Sequence, residues 1–383
     1  MHPQDAWLMK GCSMSRAKRI LLPIGIHLNA DAVYMVQFEQ TEGTVSVVSK
    51  AAKRFAPAPD ANFDAGIGMT QTGRALTGAD DSRYEEARQF IREKVTSNGF
   101  RGAEAVLSLP TESLVIQHVR LPPIQPEELA ATIMAELQGK LPFDPEEAEV
   151  RHIVAGTVSE NNETKQDVIV LAALRNAIER QVSAVARLGL RVVGVGVEPC
   201  AMCYPYMFAS AHAAPTPEGP PSLMIVFLGA RATYVAILRG QEMTFVKGVE
   251  LGIDNLLDPL ARAKGITATE VAALRARWRE SSTAVPEGVE AYNGIRFDLE
   301  HIVDEIQSCM RYYASLARGT HVDRVIFVGP EARDRALVRV IGAHVGVPCD
   351  VGSPLTIIAD PPGQGEPEPE MAAAAGLSLF MAQ

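Results

Sequence analysis

A chain of 383 residues is too long for one ordinary hydrophobic core, so two or more lobes are expected. Its 47% apolar and 21% charged residues exclude a disordered or fibrous chain. A net charge of -10 excludes a general binder of nucleic-acid backbones, which needs clustered Lys and Arg.

Residues 1–18 read as a disordered extension; the first 13 have no signal-peptide order, and Met14 is the more natural start. From Ile20 to Phe38 the pattern is strand, tight turn, strand, and TEGTVSVVSKAAKRF adds a third strand after the turn at Thr41-Glu42-Gly43. Residues 56–82, rich in Ala, Gly, Pro and Asp, read as a flexible insertion. Tyr84, Ala87, Phe90, Ile91 and Val95 then fall at helical spacing, with Asn98-Gly99 as the stop.

Two strands broken at Pro110 follow, and a helix opens at Gln125-Pro126-Glu127-Glu128, where proline and early acids suit a helix N-terminus. Two further strands and an amphipathic helix ending at Gly189 complete residues 105–190, a β-β-α-β-β-α order that predicts a compact mixed unit inserted into a larger lobe. VVGVGVEP is a buried strand, and 211–222 a linker. LMIVFLGARATYVAILRGQEMTFVKGVEL then repeats the opening strand–turn–strand–turn–strand pattern. Helices follow, then the strand DRVIFVGP, the helix ARDRALVRVIGAHVG, a disordered-looking PPGQGEPEPE and an apolar terminal helix.

The five cysteines are scattered; only Cys200 and Cys203 form a C-x-x-C, which without a second pair or a His cluster reads as small residues at the start of a buried helix rather than a zinc site. The sequence shows no metal-ligand spacing, nucleophile elbow, Walker loop or dinucleotide fingerprint. No apolar run approaches the ~20 residues of a membrane span.

The duplicated hairpins and the late strand–Gly turn–helix resemble the actin and sugar-kinase ATPase superfamily. Within it, VRLPPIQPEELAATIMAELQGKLPFDPEEAEV, VGVGVEPCAM, KGVELGIDNLLDPLARAKGITATEVAALRAR, DEIQSCMRYYAS and VDRVIFVGP, in this order, resemble the PilM family of type IV pilus and type II secretion platforms. The resemblance runs from about Arg19 to Leu379. It implies an α/β, two-lobed actin-like (ribonuclease-H-like, duplicated) fold with an inserted small α+β subdomain. The expected parts are a first lobe from 19–104 and 191–215, the small subdomain 105–190, a second-lobe core from 216–252 and 324–360, its helical subdomain 253–323, and a loop with C-terminal helix over 361–383.

The resemblance also implies where a nucleotide would sit. Such proteins carry Asp-x-Gly in the first hairpin, the Asp holding the Mg²⁺ water shell and the Gly admitting phosphates to backbone N–H groups. Here the triplet is His27-Leu28-Asn29. In the second hairpin Phe227 stands where a carboxylate belongs, with Gly229, Ala230 and Thr233 in place, and Arg231 either compensates by binding phosphate or is solvated. The adenosine-side Gly-Gly turn is Gly329-Pro330, the ribose-holding acid falls on Ala272, and its Lys partner on Arg275. Glu198 matches the glutamate that orients the attacking water, or sits at a strand end for structural reasons. With two carboxylates replaced, no catalytic residue is expected beyond the residual candidate Glu198, and ATP with Mg²⁺ is expected to bind weakly if at all.

The implied function is a cytoplasmic scaffold, peripheral at the inner membrane through its partner. That partner is the N-terminal tail of a bitopic PilN-like protein, held between the first lobe and the small subdomain, with LVIQHVRLPP and the LPF loop as candidate walls. Self-association is an open expectation. The alternatives are an active ATPase or ATP-operated switch, and a polymerising cytoskeletal relative; the tail AAAAGLSLFMAQ lacks the basic face of a membrane-binding helix and places the latter last.

Overall fold

The structure is a computed structural model that describes residues 19–29, 31–55, 79–97, 99–109, 113–160, 163–214, 217, 219–316, 320–358, 365–380 and 382. The expectation for 1–18 and that for 56–78 of the flexible insertion lie outside the described residues; the insertion's last four residues, 79–82, are helical instead. In chain order the elements are β1 (Arg19–Leu21), β2 (Ile24–Leu28), β3 (Ala32–Thr41), β4 (Thr44–Arg54), α1 (Ala79–Thr96), β5 (Glu104–Leu109), β6 (Val115–Leu121), α2 (Pro126–Leu137), β7 (Ala148–Glu160), β8 (Glu163–Leu174), α3 (Arg175–Ala186), β9 (Arg191–Val197), α4 (Glu198–Ala201) and α5 (Tyr204–His212). They continue with β10 (Ser222–Leu228), β11 (Thr233–Arg239), β12 (Glu242–Val249), α6 (Leu257–Lys264), α7 (Ala268–Glu280), α8 (Pro286–Gly294), α9 (Arg296–Leu316), β13 (Arg324–Val328), α10 (Arg335–Val345), β14 (Cys349–Val351) and α11 (Ala372–Leu379).

Two sheets repeat one topology. In the first lobe an antiparallel meander β4-β3-β2 is extended by the parallel strands β5 and β9; in the second, β12-β11-β10 is extended by β13 and β14. Short β1 pairs with the far end of β3. Local chemistry starts each hairpin. Glu42 and Gly43 both adopt positive φ (51° and 85°), as a two-residue hairpin turn with the right twist requires. At the β2–β3 turn the Asn29 carboxamide oxygen accepts the Asp31 and Ala32 N–H groups, both at 2.9 Å, closing the loop on itself.

The layers follow from which faces are apolar. Ile24, Ile26, Val33 and Met35 of the first sheet pack on Ala87, Phe90 and Ile91 of α1 and Val185 of α3. Its opposite face, with Tyr34, Val36 and Phe38, packs on α11. The second sheet sends Met224, Val226, Val235 and Ile237 against α6–α10, and Ile225, Phe227, Ala236 and Val328 toward Met202, Cys203 and Tyr206 at the start of α5. Helices α4, α5 and α11 thus fill the space between the sheets. Cys203 there donates to the Pro199 carbonyl at 3.3 Å, and Cys200 and Cys203 are free thiols.

Three further features differ from the sequence expectation. Strand β5 pairs in parallel with β2 and β9, and α3 packs on the same sheet. The boundary at 105 therefore gives way: both belong with the first lobe, and the small unit keeps α2 and the sheet β6-β8-β7. A β-β-α order cannot by itself say which sheet an edge strand joins. Second, the end of PPGQGEPEPE is ordered: Pro369–Met371 form a 3-10 turn with Glu370 buried, residues 361–364 lying outside the described set. Third, residues 330–333 form a 3-10 turn and α10 begins only after Asp334, whose carboxylate caps the Leu337 N–H.

The small unit is buried on both faces. Along β8, Val168 and Val170 meet Leu129, Ile133 and Leu137 of α2, while Ile169 and Leu171 join the second-lobe sheet. That two-sided burial explains the continuous apolar run DVIVLAAL where a one-sided strand would alternate. Polar bonds fasten the docking: His118 Nε2 lies 2.7 Å from the Val246 carbonyl, and Arg120 donates to the Tyr312 hydroxyl at 3.0 Å.

Candidate functional site

The residues singled out in the sequence converge where the two hairpins face each other. His27, on β2, is 2% exposed; its Nδ1 lies 2.9 Å from Ser108 Oγ and its Nε2 3.0 Å from Glu198 Oε1. Asn29 Nδ2 lies 3.3 Å from the same Nε2. Ser108 comes from β5 and Glu198 from the first turn of α4, so three elements of the first lobe meet at one imidazole. The order Ser–His–Glu has the spacing of a proton relay. All three side chains are buried, and Ser108 Oγ also accepts the Leu28 N–H at 3.3 Å.

From the other lobe, Phe227 presents its edge to His27 with ring centroids 6.5 Å apart. The ring also lies under both glycine turns. A Cβ at Gly329 would meet Phe227 carbons at 3.0 Å, and one at Gly229 would meet the ring at 3.1 Å. Gly329 has φ +91°, so the turn needs glycine for its backbone as well as for the space. An apolar ring therefore occupies the meeting point of the two hairpins, where the related chemistry would need a carboxylate-held metal shell.

Several backbone groups of the second hairpin are already used. Gly229 N–H donates to the Ala232 carbonyl at 3.1 Å, the Gly229 carbonyl accepts from Ile253 at 3.1 Å, and the Ala230 carbonyl accepts from Asp254 at 2.8 Å. Thr233 Oγ1 donates to the Leu251 carbonyl at 2.7 Å. Gly252 sits so close to this loop that a Cβ there would lie 2.1 Å from the Ala230 oxygen. Arg231 is exposed.

Arg275, the residue read as a nucleoside-side cation, is buried (2% exposed) in an ion network the sequence reading did not foresee. Its Nη2 donates to Glu331 Oε2 at 2.6 Å and its Nε to the Tyr292 hydroxyl at 2.8 Å; that hydroxyl in turn donates to Asp334 at 2.6 Å. Arg279 donates to Glu331 Oε2, and Arg54, from the first lobe, to Oε1, both at 2.8 Å. Three guanidinium groups outweigh burial and hold the Glu331 carboxyl well below the usual carboxylate range. Burial and the nearby acids Glu331 and Asp31 push Asp254 up to about 6. Glu331, Asp334, Tyr292, Arg279, Arg54 and Ser108 were not legible as a group. They come from distant segments, and only the helix-capping role of Asp334 leaves a local signature. Among the described residues no cluster of three or more His, Cys, Asp or Glu stands ready for a metal ion.

Residues 73–379 match the profile of a family described as type IV pilus assembly protein PilM. The chain belongs to the PilM family. Among solved structures it is similar to a PilM-PilN type IV pilus biogenesis complex, with a TM-score of 0.70 and 20% identity over 94% of this chain and 98% of that one. It is also similar to the ethanolamine utilization protein EutJ from Carboxydothermus hydrogenoformans, with a TM-score of 0.52 and 16% identity over 94% and 90% of the two chains. At these identities the likeness is one of fold, the two-lobed actin-like ATPase fold with both sheets in place. A PilM-family member thus carries this fold with Phe227 and His27 at the centre of its cleft. No helix among the described residues is long and apolar enough to cross a membrane.

Proposed function

We propose that this PilM-family protein is a scaffold of a type IV pilus or type II secretion inner-membrane platform, with little or no ATP hydrolysis. It holds the cytoplasmic tail of a PilN-like single-span protein and stays at the cytoplasmic face through that partner. The observation that carries the loss of catalysis is the Phe227 ring packed edge-on against His27 and under Gly229 and Gly329. Phosphoryl transfer works by positioning and by metal-neutralised charge, and an aromatic ring offers neither. His27 and Asn29 spend their polar atoms on Ser108, Glu198 and the turn backbone, and Arg275 spends its own on Glu331.

For the tail, the small sheet supplies the receiving edge. Strand β6 pairs only with β8 among the described residues, leaving its outer row of backbone groups without a strand partner. An extended peptide gains main-chain hydrogen bonds at such an edge and side-chain pockets beside it. Leu141 of the LPF segment packs at the same subdomain's core and would form part of the wall.

The alternative, an ATP-operated switch, draws on one observation: Glu198 is retained and faces the cleft centre beside His27. A single pair of measurements separates the two. A labelled synthetic tail of the single-span protein is titrated with the full chain, and Mg²⁺-ATP is titrated by calorimetry with phosphate release followed in parallel. The scaffold reading expects micromolar tail binding with no heat from millimolar nucleotide. Nucleotide binding with turnover that disappears in Glu198→Ala would replace it with the switch.

A further inference from the structure

We infer that Glu331 is a built-in clasp that holds the two lobes closed without a nucleotide; the inference rests on the scaffold reading above. Glu331 lies two residues beyond Gly329, in the 3-10 turn Pro330–Arg333 of the second lobe, and is 1% exposed. Oε2 accepts from Arg275 and Arg279 of α7, also in the second lobe. Oε1 accepts from Arg54, the last residue of β4 in the first lobe. One carboxylate therefore spans the cleft, fixed on one side by two arginines and grasped from the other by a third.

The same seam is tied at further points. Gly329 N–H donates to the Pro369 carbonyl at 2.8 Å, joining the turn to the segment that leads into α11 of the first lobe. Next to it Arg333 pairs with Glu370. The Phe227–His27 contact closes the cleft at its centre. Every one of these links is made by the protein's own side chains or backbone. In an enzyme of two lobes, an anion bound between them would be the element that draws them together; here Glu331 is that anion and is covalently part of one lobe. A permanently closed cleft gives a platform component one fixed outline, which a partner tail can recognise without waiting for a nucleotide cycle.

Arg54 is the point to test, because its side chain is 38% exposed and at a strand end, so its loss leaves both cores packed. Hydrogen–deuterium exchange is followed on the full chain for wild type, Arg54→Met and Arg54→Lys. The clasp expects Arg54→Met to exchange about tenfold faster at residues 27–33 and 327–333, the effect of removing one charge-assisted hydrogen bond. The amides of β8 remain as in wild type, and Arg54→Lys falls between the two. If Arg54→Met loosens the whole chain, Arg54→Lys decides by the same two segments. Wild-type rates in Arg54→Lys and Arg54→Met, or a wild-type cleft that gains protection from millimolar Mg²⁺-ATP, would overturn the clasp. Tail binding measured on the same samples keeps the two readings apart: its absence in wild type sinks the scaffold, while unchanged exchange in Arg54→Met sinks the clasp alone.

Discussion

Phe227 shows how much one side chain decides. Placing a carboxylate there restores the related motif on paper, but the site around it has been rebuilt for a ring. An Asp at this position would sit 3% exposed in apolar surroundings, facing His27 and its partner Glu198. Losing the ring leaves a cavity worth about 3–5 kcal/mol, and the buried charge adds to it. Phe227→Asp is therefore expected to lower Tm by several degrees and to yield no Mg²⁺-dependent phosphate release. A melting curve and a phosphate assay on one sample check both halves; activity in the variant would show that the ring alone blocks the site. His27 is likewise a structural residue in this arrangement, since Ser108, Asn29 and Glu198 all meet its two nitrogens.

Among the elements, α11 is the least expected participant. Its sequence AAAAGLSL has no polar face, which marks a helix buried all round, and all eight residues are buried. Small residues let it lie directly on its neighbours. A Cβ at Gly376 would fall 1.7 Å from the Ala201 carbonyl oxygen, and one at Gly25 would fall 2.0 Å from the Ala374 oxygen. Ser378 Oγ donates to the Pro23 carbonyl at 2.7 Å and accepts from Phe38 N–H at 3.3 Å, pinning the helix to β2 and β3. Gly376→Ala should destabilise the fold by about 1–3 kcal/mol or more through overpacking, since backbone rather than a flexible side chain blocks the methyl. Urea denaturation of the variant measures it, and a change within a few tenths of a kcal/mol would mean that α4 moves aside freely.

At the scale of the whole molecule, the cleft charges set opposite pH responses. Glu331 has its folded pKa depressed, so its stabilisation is present above its unfolded value and is lost as pH falls through the folded one. Asp254 is the reverse case. Its pKa rises from 3.8 unfolded to about 6 folded, so the folded state binds the extra proton between those values and stability falls as pH rises through that window. After discounting for its partial exposure, Asp254→Asn should stabilise the protein by about 1 kcal/mol at neutral pH. The gain should vanish below the unfolded pKa of 3.8. Thermal melts of both proteins across acid to neutral pH check the sign; a constant offset at every pH would show that Asp254 does not titrate in this range.

The sequence by itself determined the duplication, because hairpin turns and apolar strands are written in local patterns: Thr41-Glu42-Gly43 and Arg239-Gly240 mark turns whatever surrounds them. It also showed that His27 and Phe227 stand where the family resemblance leads one to expect acids, since that is a matter of which atoms the chain carries. Tertiary structure alone decided that β5 joins the first sheet, that β8 needs apolar residues on both faces, and that α11 returns to fill the first lobe. Those outcomes depend on which surfaces remain uncovered after the lobes form, and no local pattern encodes it. The same holds for Arg275: its charge was legible, but its partner Glu331 lies 56 residues away, and only the folded chain brings that carboxylate, and Arg54 from the other lobe, within hydrogen-bond reach.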